Sequence, residues 1–320
     1  MKRQRVLVIG CGVIGLSSAL ELQRAGAKVT IAARALPPDT VSNVAAAIWY
    51  PYAVAPKERC DTWARVAYGS FRELAKDPAS GVLLRSGVEL YPEGGRPAQL
   101  LLDLPGSRPA RADELRSGYT SGVSFEAPVI DTSIYLPWLM RQFGQGGGLI
   151  EVLDFGSLDE ALERAALVVN CAGLGSRELA RDPSMYAIRG QVVRVERGHI
   201  ETFALDHMPD GGTTYVIPRA NDCVLGGTRE ERREDLRIDA RQSDDILRRC
   251  IALVPKLAGS RILGHAAGLR PGRPVVRLEI EQRSSGVVVH NYGHGGAGVT
   301  LSWGCAREVR ELCAGTLQIE

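Results

Sequence analysis

The sequence predicts an α/β protein with one parallel, doubly wound sheet and a second, mixed and largely antiparallel sheet. Three observations predict it: a strand–glycine turn–helix unit near the start, short alternating apolar runs in the middle, and a second strand–glycine turn–helix unit near the end. Buried parallel strands are continuously apolar, whereas alternation is typical of antiparallel strands with one solvated face. The parallel domain is therefore expected to be discontinuous in sequence.

The bulk composition limits which kinds of molecule the protein is expected to bind. A chain of 320 residues can bury one large or two medium cores. Its formal net charge is only +2, without a basic stripe interleaved with aromatics, so no nucleic acid is expected. No stretch reaches the roughly 20 apolar residues that span a bilayer, so no membrane partner is expected.

The cysteines and the first residues of the chain indicate where in the cell the protein is located. Seven scattered cysteines without a C-x-x-C favour reduced thiols over a disulfide scaffold or a zinc site. The basic opening and apolar run at the start imitate a secretory signal, but glycines interrupt the run. Cleavage would also remove the first strand–turn–helix unit. A cytoplasmic protein is therefore expected.

The first unit reads "RVLVIGCGVIGLSSALELQRAGAKVT". Val6 to Ile9 is a short apolar strand, and Gly10, Gly12 and Gly15 form G-x-G-x-x-G before an amphipathic helix. The first glycine permits a tight turn, the second lets the backbone approach a pyrophosphate, and the third allows close helix–strand packing. Free amides at the helix N-terminus then face the phosphates. Between strand and helix, this motif predicts a dinucleotide site.

Two further strand ends should lie beside this turn. The second strand, Lys28 to Ala32, is followed by Ala33 and Arg34, without the acidic residue that takes a ribose hydroxyl in many NAD sites. Arg34 could instead meet a 2′-phosphate, which leaves NADP open. The third strand, "AALVVNCAG", ends in glycine at the same edge of a doubly wound sheet. Gly173 and Leu174 are therefore candidate contacts through their backbone amides.

The middle of the chain carries the second sheet. The runs "GVLLRSGVELYPEG" and "GQVVRVERGHIETFAL" alternate, and "TTYVIPRANDCVLGGT" predicts two strands joined by a turn at 220–222. The segment "ARQSDDILRRCIALVP" is an amphipathic helix. The mixed-sign run Arg229 to Asp235 is expected to be mostly a solvated loop.

The closing unit is "GVVVHNYGHGGAGVTLSWG". His290 and His294 have the i, i+4 spacing of a helical zinc site, but the glycines between them disfavour a helix and no acidic ligand is near. No metal is expected. Instead, a strand at 286–290, a glycine loop and a helix from about Thr300 would present another helix N-terminus. Such a terminus would stabilise negative charge on the pyrimidine edge of a flavin.

Several separated motifs follow one another in order over nearly the full length: "VIGCGVIGLSSALEL", "VAAAIWYPY", "NCAGLGS", "RGQVVRV", "YVIP", "LGGT", "GLRPGRPVVRLE" and "VVHNYGHGGAGVTLSWGCA". Together they closely resemble the motifs of the D-amino-acid oxidase family. The resemblance implies a Rossmann-like FAD-binding domain with a discontinuous second domain built on a mixed, largely antiparallel sheet. It implies an FAD domain of residues 1–75, 131–185 and 262–320, and a substrate domain of 76–130 and 186–261.

The resemblance also implies the substrate site. Arg270 matches the arginine that binds the substrate carboxylate with two parallel hydrogen bonds, as a planar guanidinium can. Tyr215 matches a tyrosine whose hydroxyl joins the same carboxylate, and the Gly296 carbonyl would accept from the amine. Arg229 stands where D-aspartate oxidases carry an arginine for the side-chain carboxylate, or it simply opens the solvated charged run. No side chain is expected to act as acid or base, since positioning aims the α-hydrogen at the flavin.

The FAD contacts that the resemblance implies are mostly glycines and small or short side chains. They are Gly10, Gly12, Val13, Ile14, Gly15, Arg34, Thr40, Ser42, Ala46, Ala47, Ile48, Gly173, Leu174, Arg270, Gly295, Gly296, Gly298, Val299 and Thr300. The sequence departs from the family in three places. Ala33 replaces an acidic residue of some members, "MPDGGTTY" is a short lid, and Ala297 stands where many members carry an aromatic residue.

These features predict an FAD-dependent oxidase that accepts a broad range of D-amino acids, most of them neutral. Its partners would be a small D-amino acid and dioxygen, and its products a 2-oxo acid, ammonia and hydrogen peroxide. D-aspartate oxidase is the alternative, and a non-catalytic NADP-binding sensor is a third. The oligomeric state is left open, with a homodimer as one alternative.

Overall fold

The computed structural model describes residues 5–50, 54–207 and 213–317. Its strands are β1 (Arg5–Ile9), β2 (Lys28–Ala33), β3 (Val82–Tyr91), β4 (Arg108–Pro109), β5 (Ser121–Ile130), β6 (Leu149–Val152), β7 (Leu167–Asn170), β8 (Tyr186–Glu196), β9 (Phe203–His207), β10 (Thr213–Pro218), β11 (Asp222–Gly226), β12 (Glu230–Glu231), β13 (Ile262–Gly272), β14 (Arg277–Arg283) and β15 (Gly286–Tyr292). Its helices are α1 (Val13–Arg24), α2 (Val41–Val44), α3 (Lys57–Leu74), α4 (Gln99–Leu102), α5 (Thr132–Gln145), α6 (Leu158–Arg164), α7 (Ser176–Leu179), α8 (Ala240–Leu253) and α9 (Gly298–Leu317). Most of the short lid lies outside the described residues.

The first sheet has the order β14-β15-β7-β1-β2-β6. All its neighbours are parallel except β14 and β15, which form an antiparallel pair. Helices α1, α3, α5 and α9 pack together on one face, and α6 packs against β7 and β15 on the other. Residues 6–9 of β1 are buried because both faces are covered, which explains their unbroken apolar character.

The second sheet follows the order β12-β8-β11-β10-β9-β3-β5-β4, with β13 also paired to β8. Its pairs are antiparallel apart from β3 with β9. Helix α8 covers part of one face, where Ile246 and Cys250 pack against Val193 and Val195. The amphipathic helix, the paired strands around 220–222 and the mixed, largely antiparallel sheet are all as predicted.

The fold class is therefore confirmed as an α/β fold with a mostly parallel sheet and a second, mixed sheet. The predicted domain boundaries stay a prediction. Strand β13 falls inside the predicted segment 262–320, yet it hydrogen bonds to β8 of the second sheet. Strands β14 and β15 of the same segment belong to the first sheet.

Two absences apply to the part of the chain that is described. No helix there is both long and apolar enough to cross a bilayer. No three His, Cys, Asp or Glu side chains there come together as a metal ion would require.

Helices α3 and α9 cross in backbone contact. A methyl group at Gly304 of α9 would lie 2.3 Å from both the Cα and the carbonyl oxygen of Trp63 on α3. A backbone atom cannot move aside as a flexible side chain can. The position of α9, whose first turn borders the site described below, therefore depends on Gly304.

We expect Gly304→Ala to lower the free energy of unfolding by about 1–3 kcal/mol, because the added methyl overpacks a helix crossing. Chemical denaturation of the purified protein measures this. The control is Gly69→Ala on the exposed side of α3, where no atom lies within 4 Å of the added methyl. That control should be neutral or stabilising by up to about 1 kcal/mol. Equal effects in both variants would contradict the packing argument.

Candidate cofactor and substrate site

A cavity of about 630 Å³ is lined by residues of both sheets. The turns after β1, β2, β6 and β7 line one side, and β8, β10 and β13 line the other. Parallel strands that share an edge place their carboxyl ends together, which is where ligands bind in open α/β sheets. The volume is within the range of cofactor and ligand cavities.

The first glycine turn forms one end of this cavity. Gly10 has a φ of 107°, and a methyl there would lie 2.5 Å from the Cys171 carbonyl oxygen. A methyl on Gly15 would lie 1.9 Å from the Gly10 carbonyl oxygen. Gly15 does not line the cavity; its missing side chain lets α1 approach the turn. The backbone amide of Val13 donates to Ser42 Oγ at 3.0 Å.

The N-terminus of α9 forms another part of the wall. Gly298, Val299 and Thr300 begin the helix and line the cavity. Thr300 Oγ1 donates to the Tyr50 carbonyl oxygen at 3.0 Å and accepts from the Tyr50 amide at 3.1 Å. This reciprocal pair fixes the segment after α2 to α9. Two glycine turns that are far apart in sequence thus meet at one cavity.

The chemistry of the wall fits a dinucleotide cofactor. Both helix N-termini present backbone amides and partial positive charge, which suit phosphates and an electron-rich ring. Asn291 Oδ1 and His294 Nε2 are buried at this wall without a hydrogen-bond partner among the described residues. Buried polar atoms are almost always paired, so each of these atoms can take a hydrogen bond from or to water or a polar bound group.

The two histidines of the closing unit have different surroundings. His290 Nε2 lies 2.8 Å from Glu281 Oε2, and burial lowers the pKa of His290. Burial also lowers the pKa of His294, to about 3. Both imidazoles are therefore neutral at pH 7. His290 has a hydrogen-bonding role in the first sheet, whereas His294 faces the cavity wall.

Arg270 and Tyr215 come from the second sheet. Arg270 lies on β13 and donates from Nη1 to the Thr228 carbonyl oxygen at 3.0 Å. Tyr215 lies on β10, directly across from Gly226 of β11. Both side chains are partly buried and line the cavity, as does Gly296. The structure therefore brings three predicted substrate contacts to the same space.

Arg229 is the predicted substrate contact that the cavity wall does not include. Its Nη2 donates to Glu231 Oε1 at 2.7 Å, and about a third of the side chain (34%) is exposed. The neighbouring carboxylate thus engages the guanidinium in the charged run. A role for Arg229 in substrate binding stays a prediction.

The remaining predicted contacts reach the cavity, apart from Gly15. Those at the wall are Gly10, Gly12, Val13, Ile14, Arg34, Thr40, Ser42, Ala46, Ala47, Ile48, Gly173, Leu174, Tyr215, Arg270, Gly295, Gly296, Gly298, Val299 and Thr300. Their individual roles as ligands stay predictions. Two of the sequence departures are also located: Ala33 lines the cavity, and Ala297 is buried behind it.

Sequence reasoning missed several parts of the wall. Residues 153–156 line it because β6 pairs in parallel with β2 and ends at the same edge. Tyr50, Leu205 and Ile217 also line it. Tyr50 lies in the motif "WYPY" and Ile217 in the motif "YVIP". Both motifs belong to the family resemblance, so that resemblance could have indicated these two residues.

Comparison with known proteins decides the family. The family model described as "FAD dependent oxidoreductase" matches residues 5–312. The chain belongs to this family. As an FAD-dependent oxidoreductase it uses FAD, which confirms the predicted cofactor.

The relatives of this FAD-dependent oxidoreductase confirm the resemblance to D-amino-acid oxidases. It is 48% identical over 315 residues to a D-amino-acid oxidase of Rubrobacter xylanophilus, covering 98% of this chain and 97% of that protein. It is 36% identical to the human D-aspartate oxidase, covering 98% and 95%. A glycine oxidase structure from Bacillus cereus superposes with a TM-score of 0.78 at 17% identity, covering 98% and 96%, which shows a shared fold.

The lowered pKa of His294 gives a pH prediction. An unfolded histidine takes up its proton near pH 6.5, whereas His294 in the fold remains neutral down to about 3. Its contribution to stability is therefore complete above pH 6.5 and is lost as the pH falls from 6.5 towards 3. In His294→Asn we expect the slope of unfolding free energy against pH to fall by up to about 1.4 kcal/mol per unit in that window.

Denaturant titrations of the flavin-free protein between pH 6.5 and 4.5 measure the slope. His199 is exposed, so His199→Asn is the matched control and should keep the original slope. A slope in His294→Asn equal to that of the unsubstituted protein would refute the assignment.

Proposed function

We propose that the protein is an FAD-dependent oxidase of D-amino acids. It would convert a D-amino acid, dioxygen and water into a 2-oxo acid, ammonia and hydrogen peroxide. The observation that carries the proposal is Arg270: a partly buried guanidinium at the cavity wall without an ion-pair partner among the described residues.

Arg270 differs from other buried arginines of the protein, which form ion pairs. Arg189 is fully buried and bonded to Glu230, and Arg219 is buried and bonded to Asp222. A cation removed from water needs a counter-charge. Within the described structure Arg270 uses one donor, on the Thr228 carbonyl, which leaves the other donors of its fork for a carboxylate.

Bound FAD supplies the oxidising chemistry, since it accepts two electrons from the substrate and passes them to dioxygen. The residues of the chain supply position. Arg270 binds the substrate carboxylate, the Tyr215 hydroxyl adds a hydrogen bond to it, and the Gly296 carbonyl accepts from the amine. With both ends of the zwitterion held, orientation lowers the barrier without an acid–base side chain.

The substrate side chain would meet an apolar part of the cavity. Ile48, Val192, Leu205 and Ile217 line it, whereas Arg229 is engaged by Glu231 and is not part of the wall. A side-chain carboxylate would therefore lack a cationic partner of the predicted kind. This supports neutral D-amino acids over D-aspartate. A cytoplasmic location and a homodimer remain predictions.

We expect Arg270→Ala to reduce kcat/KM for neutral D-amino acids by at least about 10²-fold, because a charge-assisted pair with the carboxylate is lost. The flavin absorbance of the purified variant should persist, since the helix N-termini that suit the cofactor are unchanged. Peroxide release at varied substrate concentration measures the loss. Turnover equal to that of the parent protein would remove Arg270 from its role.

Arg229→Ala separates the two substrate classes. Under the proposal, D-alanine or D-valine is oxidised faster than D-aspartate, and the substitution leaves that ranking unchanged. A selective loss of activity on D-aspartate in Arg229→Ala, with D-aspartate preferred by the parent protein, would instead favour a D-aspartate oxidase. The same peroxide assay on the three substrates gives the answer.

A further inference from the structure

We propose that Gly190 and Gly226 are positioning residues on which the Arg270 guanidinium and the Tyr215 ring lie flat. Their missing side chains set how far the carboxylate site stands above the second sheet. This inference rests on the proposed function, because it concerns the two groups assigned to the substrate carboxylate.

The contact at Gly190 is face-on. A methyl group there would lie 2.2 Å from Arg270 Nη1, 2.3 Å from its Cζ and 2.3 Å from its Nη2. Nearly equal distances to three atoms of the fork show that the plane of the guanidinium faces the Gly190 backbone. Since Arg270 pairs with Ile188 in the strand register, its side chain runs across β8 to reach Gly190.

The contact at Gly226 has the same character. A methyl there would lie 1.9 Å from Tyr215 Cζ and 2.2 Å from its hydroxyl oxygen. Gly226 is the residue directly opposite Tyr215 in the register of β10 and β11. A side chain at that position would push the ring away from the sheet, so glycine allows the ring to fold over the strand.

The strands beneath these two side chains are held from other directions. Strand β8 pairs with β11, β12 and β13. In addition, the backbone N–H of Gln191 donates to Thr228 Oγ1 at 2.9 Å. Behind β11, Cys250 Sγ lies 3.8 Å from the Gly226 carbonyl oxygen. The backbone is therefore fixed, and an added methyl must displace the side chain that lies on it.

The shift that a methyl group at Gly190 would force on the Arg270 guanidinium is large enough to affect catalysis. For Arg270 to reach ordinary contact with a methyl at 190, its Nη1 must rise from 2.2 Å to at least 3.4 Å. A misplacement of about 1 Å in a positioning contact can cost up to about 10²-fold in rate. The cofactor end of the cavity, at the turns after β1 and β7, is not touched by this change.

Gly190→Ala tests the inference. We expect the KM for a neutral D-amino acid to rise by about tenfold or more, because a charge-assisted pair is weakened. The affinity for propionate, followed by its effect on the flavin absorbance, should fall in parallel, since propionate has the carboxylate alone. The affinity for FAD, measured by flavin fluorescence in apoprotein titrations, should fall much less, since Arg270 is one of many predicted FAD contacts. Gly144→Ala, an exposed helical site with no atom within 4 Å of the methyl, is the control and should alter none of the three.

A double-variant cycle keeps the test decisive if Gly190→Ala is unstable. In an Arg270→Ala background the methyl has no guanidinium to meet, so the loss of unfolding free energy caused by Gly190→Ala should largely disappear. A loss of the same size in both backgrounds, or unchanged propionate affinity in Gly190→Ala, overturns the positioning role. Failure of the proposed function is a different result: Arg270→Ala alone would then leave propionate binding and turnover intact.

Discussion

The site depends on how closely α1 approaches the turn between itself and β1. Gly15 brings the helix against the Gly10 carbonyl, and Gly10 in turn lies against the backbone after β7. In this arrangement the first turn of α1 borders the cavity, and the backbone amide of Val13 reaches Ser42 Oγ. A side chain at either glycine would tilt the helix and redirect its dipole. The predicted pyrophosphate end of the FAD site therefore depends on one steric contact.

Strands and helices could be predicted from the sequence where the local pattern of apolar residues matched the burial of the element in the fold. The unit from β1 to β2 has apolar strands, spaced glycines and an apolar helix face within thirty residues, so sequence alone placed it. Strand β6 was missed because it has four residues and its two ends are exposed, Leu149 at 54% and Val152 at 72%. An edge strand without a buried pattern carries no periodic signal. The cavity residues that follow β6 were therefore missed as well.

The arginines show what sequence could not decide. Arg189, Arg219, Arg229 and Arg270 all stand in or beside predicted strands, but their partners come from elsewhere in the fold. Carboxylates engage the first three, and Arg270 meets only a backbone carbonyl among the described residues. The family resemblance singled out Arg270 and Arg229 together. Only the fold separates a guanidinium that faces the cavity from one that is held by its neighbour two residues away.

Strand β7 is flanked by β1 on one side and by β15 on the other, so the first sheet is closed by residues that are synthesised late. On the ribosome, β1, β2, β6 and β7 emerge well before α9 supplies its part of the wall. Such long-range pairing is slow to form and leaves an apolar strand edge uncovered in the meantime. A nascent chain can thus form the glycine turn before α1 early, but the cavity can be fully enclosed only after α9 has been translated.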